Sequence, residues 1–317
     1  MIMGKVAWVF PGQGSQALGM GRDVAEAMPE TKWYLDMASS ILGYDLAALC
    51  FEGPEAQLRE TQFTQPALLT VSTMLAHVLA SHGLRPDAVA GHSLGEYSAL
   101  VAAGSLSFAE GVQLVGQRGK LMEEAVPKGE GSMAVLLGME TEEIEKICQE
   151  AAEGDVLELA NINSPDQIVI SGATSAVHRA MAIGQERGAR RVIELAVSGP
   201  FHSSLMYPAA ERFTSFLEMV DWKEPQIPMV ANVTANYVTD AGDIPGLLTD
   251  QLHRPVRWEE TIDRLISDGV ETFVEIGPGK VLTGLVKRIS RKSKVVNFQG
   301  MQGLEKVLEM TKGDIVI

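Results

Sequence analysis

Residues 87–104 read Asp-Ala-Val-Ala-Gly-His-Ser-Leu-Gly-Glu-Tyr-Ser-Ala-Leu-Val-Ala-Ala-Gly. A short apolar run meets Gly91-His92-Ser93-Leu94-Gly95, and an alanine-rich stretch of helical character follows, which predicts strand, sharp turn and helix. Gly91 and Gly95 stand two residues to either side of Ser93, where the strand and helix backbones of such a turn approach closely only if neither position carries a Cβ. The turn lifts a serine hydroxyl above a sheet edge. It also points the first backbone N–H groups of the following helix at any anion that forms beside that oxygen, which is half of an oxyanion hole. The bare G-x-S-x-G pattern is weak, because glycine and serine are common. Its flanking strand and helix favour a nucleophile elbow over a buried turn with a hydrogen-bonded serine.

At 317 residues and 46% hydrophobic content, the chain can hold one large domain or two modest ones around a sizeable core. Cys50 and Cys148 lie far apart without metal-ligand spacing, so buried apolar thiols are expected, with neither a disulfide framework nor a metal site. Met1-Ile2-Met3-Gly4-Lys5 leads directly into a strand-like run, without the succession of a signal peptide. No unbroken apolar stretch has the length of a membrane span, and a soluble, cytoplasmic, monomeric protein is expected. A formal net charge of −15 argues against a broad nucleic-acid surface. Two basic islands stand out on this acidic background, one at Lys287, Arg288, Arg291, Lys292 and Lys294, the other at Arg187, Arg190 and Arg191. Each reads as solvated surface or as a landing place for an acidic partner.

Upstream of the elbow, Lys5 to Phe10 has the content of a buried strand and stops at Pro11-Gly12-Gln13-Gly14-Ser15-Gln16. That loop lacks the lysine of a phosphate-binding P-loop, whereas Gln13 after a first strand is suited to give a second N–H to the oxyanion near Ser93. Residues 21–83 read as helical, ending in an amphipathic run from Gln65 to His82. Phe108 to Val126 is another helix, and Lys128 to Ser132 a hinge. Beyond it come a strand over 133–137, a helix over 141–152 opened by a cap at Thr141, strands over 156–162 and 167–171 around the turn 163–166, a helix over 175–188 and a strand over 191–197. This βαββαβ order predicts a small ferredoxin-like subdomain over 128–198, inserted into an α/β core formed by 1–127 and 199–317. The core resumes with a helix to about Val220, strands over 226–231 and 271–276, a helix to Arg288 and a last strand over 294–298. The fold class is α/β, with a mostly parallel sheet and its cleft at the carboxyl ends of the strands.

An elbow serine needs a base. Of six histidines, His77 and His82 lie on the long helical run, His92 is adjacent to the serine and suited to packing, His178 lies in a helix of the insert and His253 in a loop. His202 follows Gly199-Pro200-Phe201 at the hinge between insert and core, where a cleft would place it, and is the candidate base. Asp221, Asp243 and Asp250 are available to orient it, and so is a backbone carbonyl.

The segments 10–16, 91–96, Gln117-Arg118-Gly119, Asn161-Ile162-Asn163-Ser164-Pro165 and 199–203 occur in an order and spacing that resemble the malonyl-CoA:acyl carrier protein transacylases of fatty-acid synthesis. The resemblance runs from the first strand to about residue 290 and implies an α/β-hydrolase-like core. It also implies ping-pong transfer of malonyl from coenzyme A, through Ser93, to the phosphopantetheine thiol of acyl carrier protein, with no resident cofactor. His202 would be the base, with its imidazole oriented by the Gln251 carbonyl, and the Gln13 and Leu94 N–H groups would hold the oxyanion. Arg118 would pair with the malonyl carboxylate, with Phe201 and Asn163 beside the substrate. Arg190, Arg191, Lys287, Arg288 and Arg291 would receive the acidic carrier. A trans-acting acyltransferase of a polyketide synthase or malonate decarboxylase system, or a serine thioesterase, is the alternative.

Overall fold

Strand β1 (Lys5–Phe10) forms where the first apolar run predicts it. The computed structural model describes residues 4–312, so the Met1–Met3 lead-in lies outside the described residues. Five helices follow β1: α1 (Arg22–Ala27), α2 (Lys32–Leu42), α3 (Leu46–Glu52), α4 (Glu55–Leu58) and α5 (Thr61–Ser81). The elbow is β2 (Ala88–Gly91) running into α6 (Gly95–Ala102), and α7 (Phe108–Glu124) comes next. The middle of the chain is β3 (Gly131–Leu137), α8 (Thr141–Ala152), β4 (Leu157–Ser164), β5 (Gln167–Ala173), α9 (Thr174–Glu186) and β6 (Arg191–Glu194). The remainder is α10 (Tyr207–Leu217), β7 (Met229–Val230), α11 (Ile244–His253), β8 (Val256–Arg257), α12 (Trp258–Ser267), β9 (Val270–Ile276), α13 (Val281–Ile289), β10 (Lys294–Phe298) and α14 (Leu304–Lys312).

Two sheets organise these elements. The first has the order β10-β9-β1-β2-β7, and every pairing in it is parallel. The carboxyl ends of β1, β2 and β7 therefore lie side by side, where open α/β sheets hold their ligands. The second has the order β6-β3-β5-β4-β8. Its first four strands are antiparallel and follow the split-βαβ order, while β8, from beyond the 128–198 segment, pairs parallel with β4. One hydrophobic cluster joins both bodies: Met133, Val135 and Val169 of the second sheet are buried with Leu121, Met122 and Phe201.

Several expectations are corrected. The run predicted as amphipathic from Gln65 is α5, buried nearly all round, with only a few positions reaching the surface. By length and composition it is also the one described helix apolar enough to cross a membrane, and 83% of its apolar window is buried inside the protein. The N-cap of α8 is Glu140 rather than Thr141, and no side chain caps it. Strand β4 runs on through Ser164, so the turn before β5 is shorter than predicted. Strand β6 ends at Glu194 instead of Val197, its ladder with β3 stopping at the Ala134–Glu194 pair. The strand expected over 226–231 shrinks to β7, because Pro225 and Pro228 have no N–H to give a ladder. His253 and Gln251, read as loop residues, lie in the last turn of α11.

Candidate active site

Ser93 sits between β2 and α6 with φ of 51°, the strained left-handed conformation of an elbow. The geometry explains both glycines. A Cβ on Gly91 would fall 1.9 Å from the Gly95 carbonyl, and one on Gly95 would fall 2.0 Å from the Phe10 oxygen. These contacts are with backbone, which cannot yield without moving a strand. We expect Gly91→Ala to destabilise the protein by about 3 kcal/mol or more. Thermal unfolding checks this, and a midpoint equal to the wild type would contradict it.

His202 stands opposite, with its Nε2 2.8 Å from the Ser93 Oγ. It too has a positive φ, 59°. The end of α11 holds it twice: the Gln251 carbonyl accepts from Nδ1 at 2.7 Å, and the Leu252 carbonyl accepts the His202 backbone N–H at 3.1 Å. Carbonyls in a last helical turn have no intrahelical partner, so they are free for this use. Asp221, Asp243 and Asp250 are not the orienting group. Burial, then the Arg118 charge, pushes the His202 imidazole down from its usual 6.5 to about 3, so it stands neutral as a base must.

Arg118 comes from α7, whose start is fixed by a capping box between Ser107 and Glu110. Gly119 lets this helix close on α5, since a Cβ there would fall 2.7 Å from the Gln62 Cα. Arg118 is 1% exposed. It donates to Gln65 Oε1 at 2.9 Å, to Gln251 Oε1 at 2.8 Å and to Ser93 Oγ at 3.2 Å, and its Cζ lies 5.5 Å from the Tyr97 ring centroid. Every one of those hydrogen bonds goes to a neutral oxygen, and the buried Nε has no partner among the described residues. Such a cation is underpaired, and burial lowers its pKa accordingly.

Most of the remaining predicted residues have partners of their own. Leu94, the N-cap of α6, and Gln13, in the loop after β1, have no acceptor on their backbone N–H groups among the described residues. The Gln13 side chain is anchored on Thr61 at 3.1 Å. Phe201 is buried beside His202. The Asn163 Oδ1 engages His92 Nε2 at 2.7 Å, and the His92 ring packs on Trp258, 5.5 Å between centroids. The two basic islands meet on one face, because Arg190 and Arg288 both grip Asp166, at 2.7 and 3.0 Å. Arg191 and Arg291 are exposed nearby in sequence, and Lys287 donates to the Ser293 carbonyl at 2.6 Å.

Three residues escaped the sequence reading. Asn232, just past β7, accepts the Ser93 N–H at 2.7 Å and donates to the Gly91 carbonyl at 2.6 Å, pinning the elbow from behind. Gln65 holds Arg118. Glu96, 2% exposed, accepts from Gln251 Nε2 at 2.6 Å, and burial raises its carboxyl to about 7. The position of Asn232 directly after the strand expected over 226–231 was the only available signal.

A neutral serine–histidine pair above parallel strands, with the uncommitted Leu94 amide next to the serine in the chain, is a device for making and breaking acyl esters. The family model for the acyl transferase domain matches residues 7–306. A Bacillus subtilis (strain 168) malonyl CoA-acyl carrier protein transacylase is 47% identical over 311 residues, 98% of each chain. An acyl carrier protein S-malonyltransferase from Vibrio cholerae superimposes with a TM-score of 0.94 at 46% identity, over 96% of this chain and 99% of that one. A malonyl-transacylase solved in complex with a type II PKS acyl-carrier protein gives the same score, identity and coverage. The chain belongs to the malonyl CoA-acyl carrier protein transacylase family, and it is an acyltransferase.

Proposed function

We propose that the chain transfers the malonyl group of malonyl-CoA to the phosphopantetheine thiol of acyl carrier protein, supplying fatty-acid elongation. The observation that carries this reading is the buried Arg118 guanidinium, 3.2 Å from the Ser93 hydroxyl with only neutral oxygens for partners. A carboxylated acyl group bound to Ser93 would bring the anion that this cation lacks. A thioesterase has no need of it.

In the first half-reaction Ser93 Oγ attacks the thioester carbonyl while His202 Nε2 takes its proton. The carbonyl oxygen becomes an oxyanion between the Gln13 and Leu94 N–H groups. Collapse breaks the C–S bond, and the leaving sulfur takes the proton back from His202. The second half-reaction runs in reverse with the carrier thiol: His202 removes its proton, sulfur attacks the malonyl ester, and the proton returns to Ser93. Asn163 and Phe201 bound the acyl site, Phe201 leaving little room for a branched chain. These groups supply every step, so no resident cofactor is invoked, and the cytoplasm, with a single chain acting alone, suits the chemistry.

Arg190, Arg191, Lys287, Arg288 and Arg291 form the face on which an acidic carrier would dock, drawn in despite the overall charge. The likeness to a transacylase bound to a polyketide carrier favours one second reading, service to a polyketide synthase.

The low His202 value has a consequence for pH dependence. A base already neutral gains nothing from alkali, so loading from acetyl-CoA, which brings no carboxylate to Arg118, should be flat between about pH 5 and pH 8 and fall only as pH drops toward the lowered value. A rate that halves near 6.5 would place an ordinary histidine in this role. The deciding experiment weighs the protein and its Ser93 peptide after malonyl-CoA, then again after holo-acyl carrier protein. A malonyl adduct on Ser93 that moves to the carrier supports the reading; release of free malonate, or no adduct, overturns it.

A further inference from the structure

Glu96 is a buried acid that the transfer chemistry does not use. It lies in the first turn of α6, three residues past the nucleophile, and both of its oxygens meet donors. The Gln251 carboxamide gives it an N–H at 2.6 Å and the Asn232 main chain gives one at 3.3 Å. The same Gln251 Nε2 also donates to the Ser93 carbonyl at 2.9 Å. Two acceptors thus hold the nitrogen end of this amide, and its oxygen end can only face Arg118, which donates to it at 2.8 Å. An amide turned the other way would present N–H groups to a guanidinium and leave Glu96 facing an oxygen.

We infer that Glu96 is a positioning residue for Arg118, acting through the Gln251 carboxamide, and so sets the preference for carboxylated acyl groups. The amide lies between the Glu96 carboxylate and the Arg118 cation and separates them. Arg118 is thereby stabilised at a distance without being neutralised by direct contact, and the side of it facing Ser93 stays open to a substrate anion. A direct ion pair would fill the place of the malonyl carboxylate. Arg118 and Tyr97 are the charged and titratable groups that face Glu96 from its surroundings. The His202 side is affected less, because its acceptor is the Gln251 main-chain carbonyl, which the helix backbone holds in place whatever the side chain does.

This inference rests on Arg118 receiving the acyl carboxylate, and the test separates the two. Acyl loading of Ser93 from malonyl-CoA and from acetyl-CoA is measured for the wild type, Glu96→Gln, Glu96→Asp and Arg118→Ala, with thermal unfolding of each. A glutamine at 96 offers one acceptor oxygen for two donors and no charge. Glu96→Gln should lower the malonyl-over-acetyl ratio of kcat/KM by about tenfold, the worth of one hydrogen bond to a charged group, chiefly by raising KM for malonyl-CoA. Glu96→Asp keeps the charge but withdraws it by one methylene, and its ratio should fall between the two. Should Glu96→Gln fail to fold, the aspartate variant decides alone. An unchanged ratio, or equal loss with both substrates, overturns the inference. If Arg118→Ala itself leaves the ratio unchanged, the reading of Arg118 fails first; if it lowers the ratio while the Glu96 variants do not, only the inference about Glu96 falls.

Discussion

Ser93→Ala should take up no malonyl group at all, and His202→Ala should load at a rate lower by about 10⁴-fold, the loss typical of removing a serine's general base. The two effects have different origins. In the proposed mechanism the Ser93 oxygen is the atom that becomes acylated, so its removal leaves nothing to weigh. In His202→Ala the hydroxyl remains, but the neutral imidazole nitrogen that stood 2.8 Å away to take its proton is gone. The Arg118 Nη2 contact at 3.2 Å only donates. The amides proposed to hold the oxyanion belong to the main chain and survive both changes, so residual loading in the histidine variant measures what they supply alone. Both variants should fold, because His202 is held chiefly through main-chain contacts at the end of α11 and Ser93 through its own backbone N–H. Intact-protein mass after exposure to malonyl-CoA reads the first, and single-turnover loading reads the second. A malonylated Ser93→Ala protein would move the nucleophile elsewhere.

How much of this centre was legible follows from where the constraints lie. Gly91 and Gly95 declare the elbow because two backbones collide there if any side chain is present, and that is a purely local demand. Strand β1, helix α8 and strand β10 were likewise readable from short periodic runs. His202 was legible as a candidate from its hinge position, whereas the residues alone left its orienting group open and only the family resemblance pointed to the Gln251 carbonyl. Its orienting carbonyl comes from α11, a helix with so mixed a pattern that its last turn read as loop. The same holds for Arg118. Sequence places it on a helix, and only the packing of α7 on α5 through Gly119 brings it to the serine. Asn232 and Gln65 act through contacts 139 and 53 residues away in sequence, which no local pattern encodes. Asp166 is similar: it joins two basic islands that the chain keeps far apart.

Arg118→Ala should reduce malonyl loading by about 10²–10³-fold in kcat/KM, equivalent to roughly 3–4 kcal/mol, while acetyl loading stays level or improves. The two substrates differ in charge at the site. Malonate brings a carboxylate into a site where water is scarce, and without the guanidinium that charge is buried unpaired. An acetyl group brings no charge, and for it the wild-type arginine is a desolvated cation with nothing to bind. The truncation also leaves Gln65 and Gln251 with an acceptor oxygen each and no donor, a cost borne equally by both substrates, so the ratio isolates the carboxylate term. It should further relax His202, since the Arg118 charge is the second cause holding that imidazole low. The acid limb of acetyl loading should then begin at a higher pH than in the wild type, because the base protonates earlier. Arg118→Lys distinguishes charge from shape. A lysine keeps the cation but cannot reach both glutamine oxygens and a substrate carboxylate in one plane, so malonyl loading should recover only in part. Equal losses for malonyl and acetyl in Arg118→Ala would show that the arginine holds the site together and selects nothing.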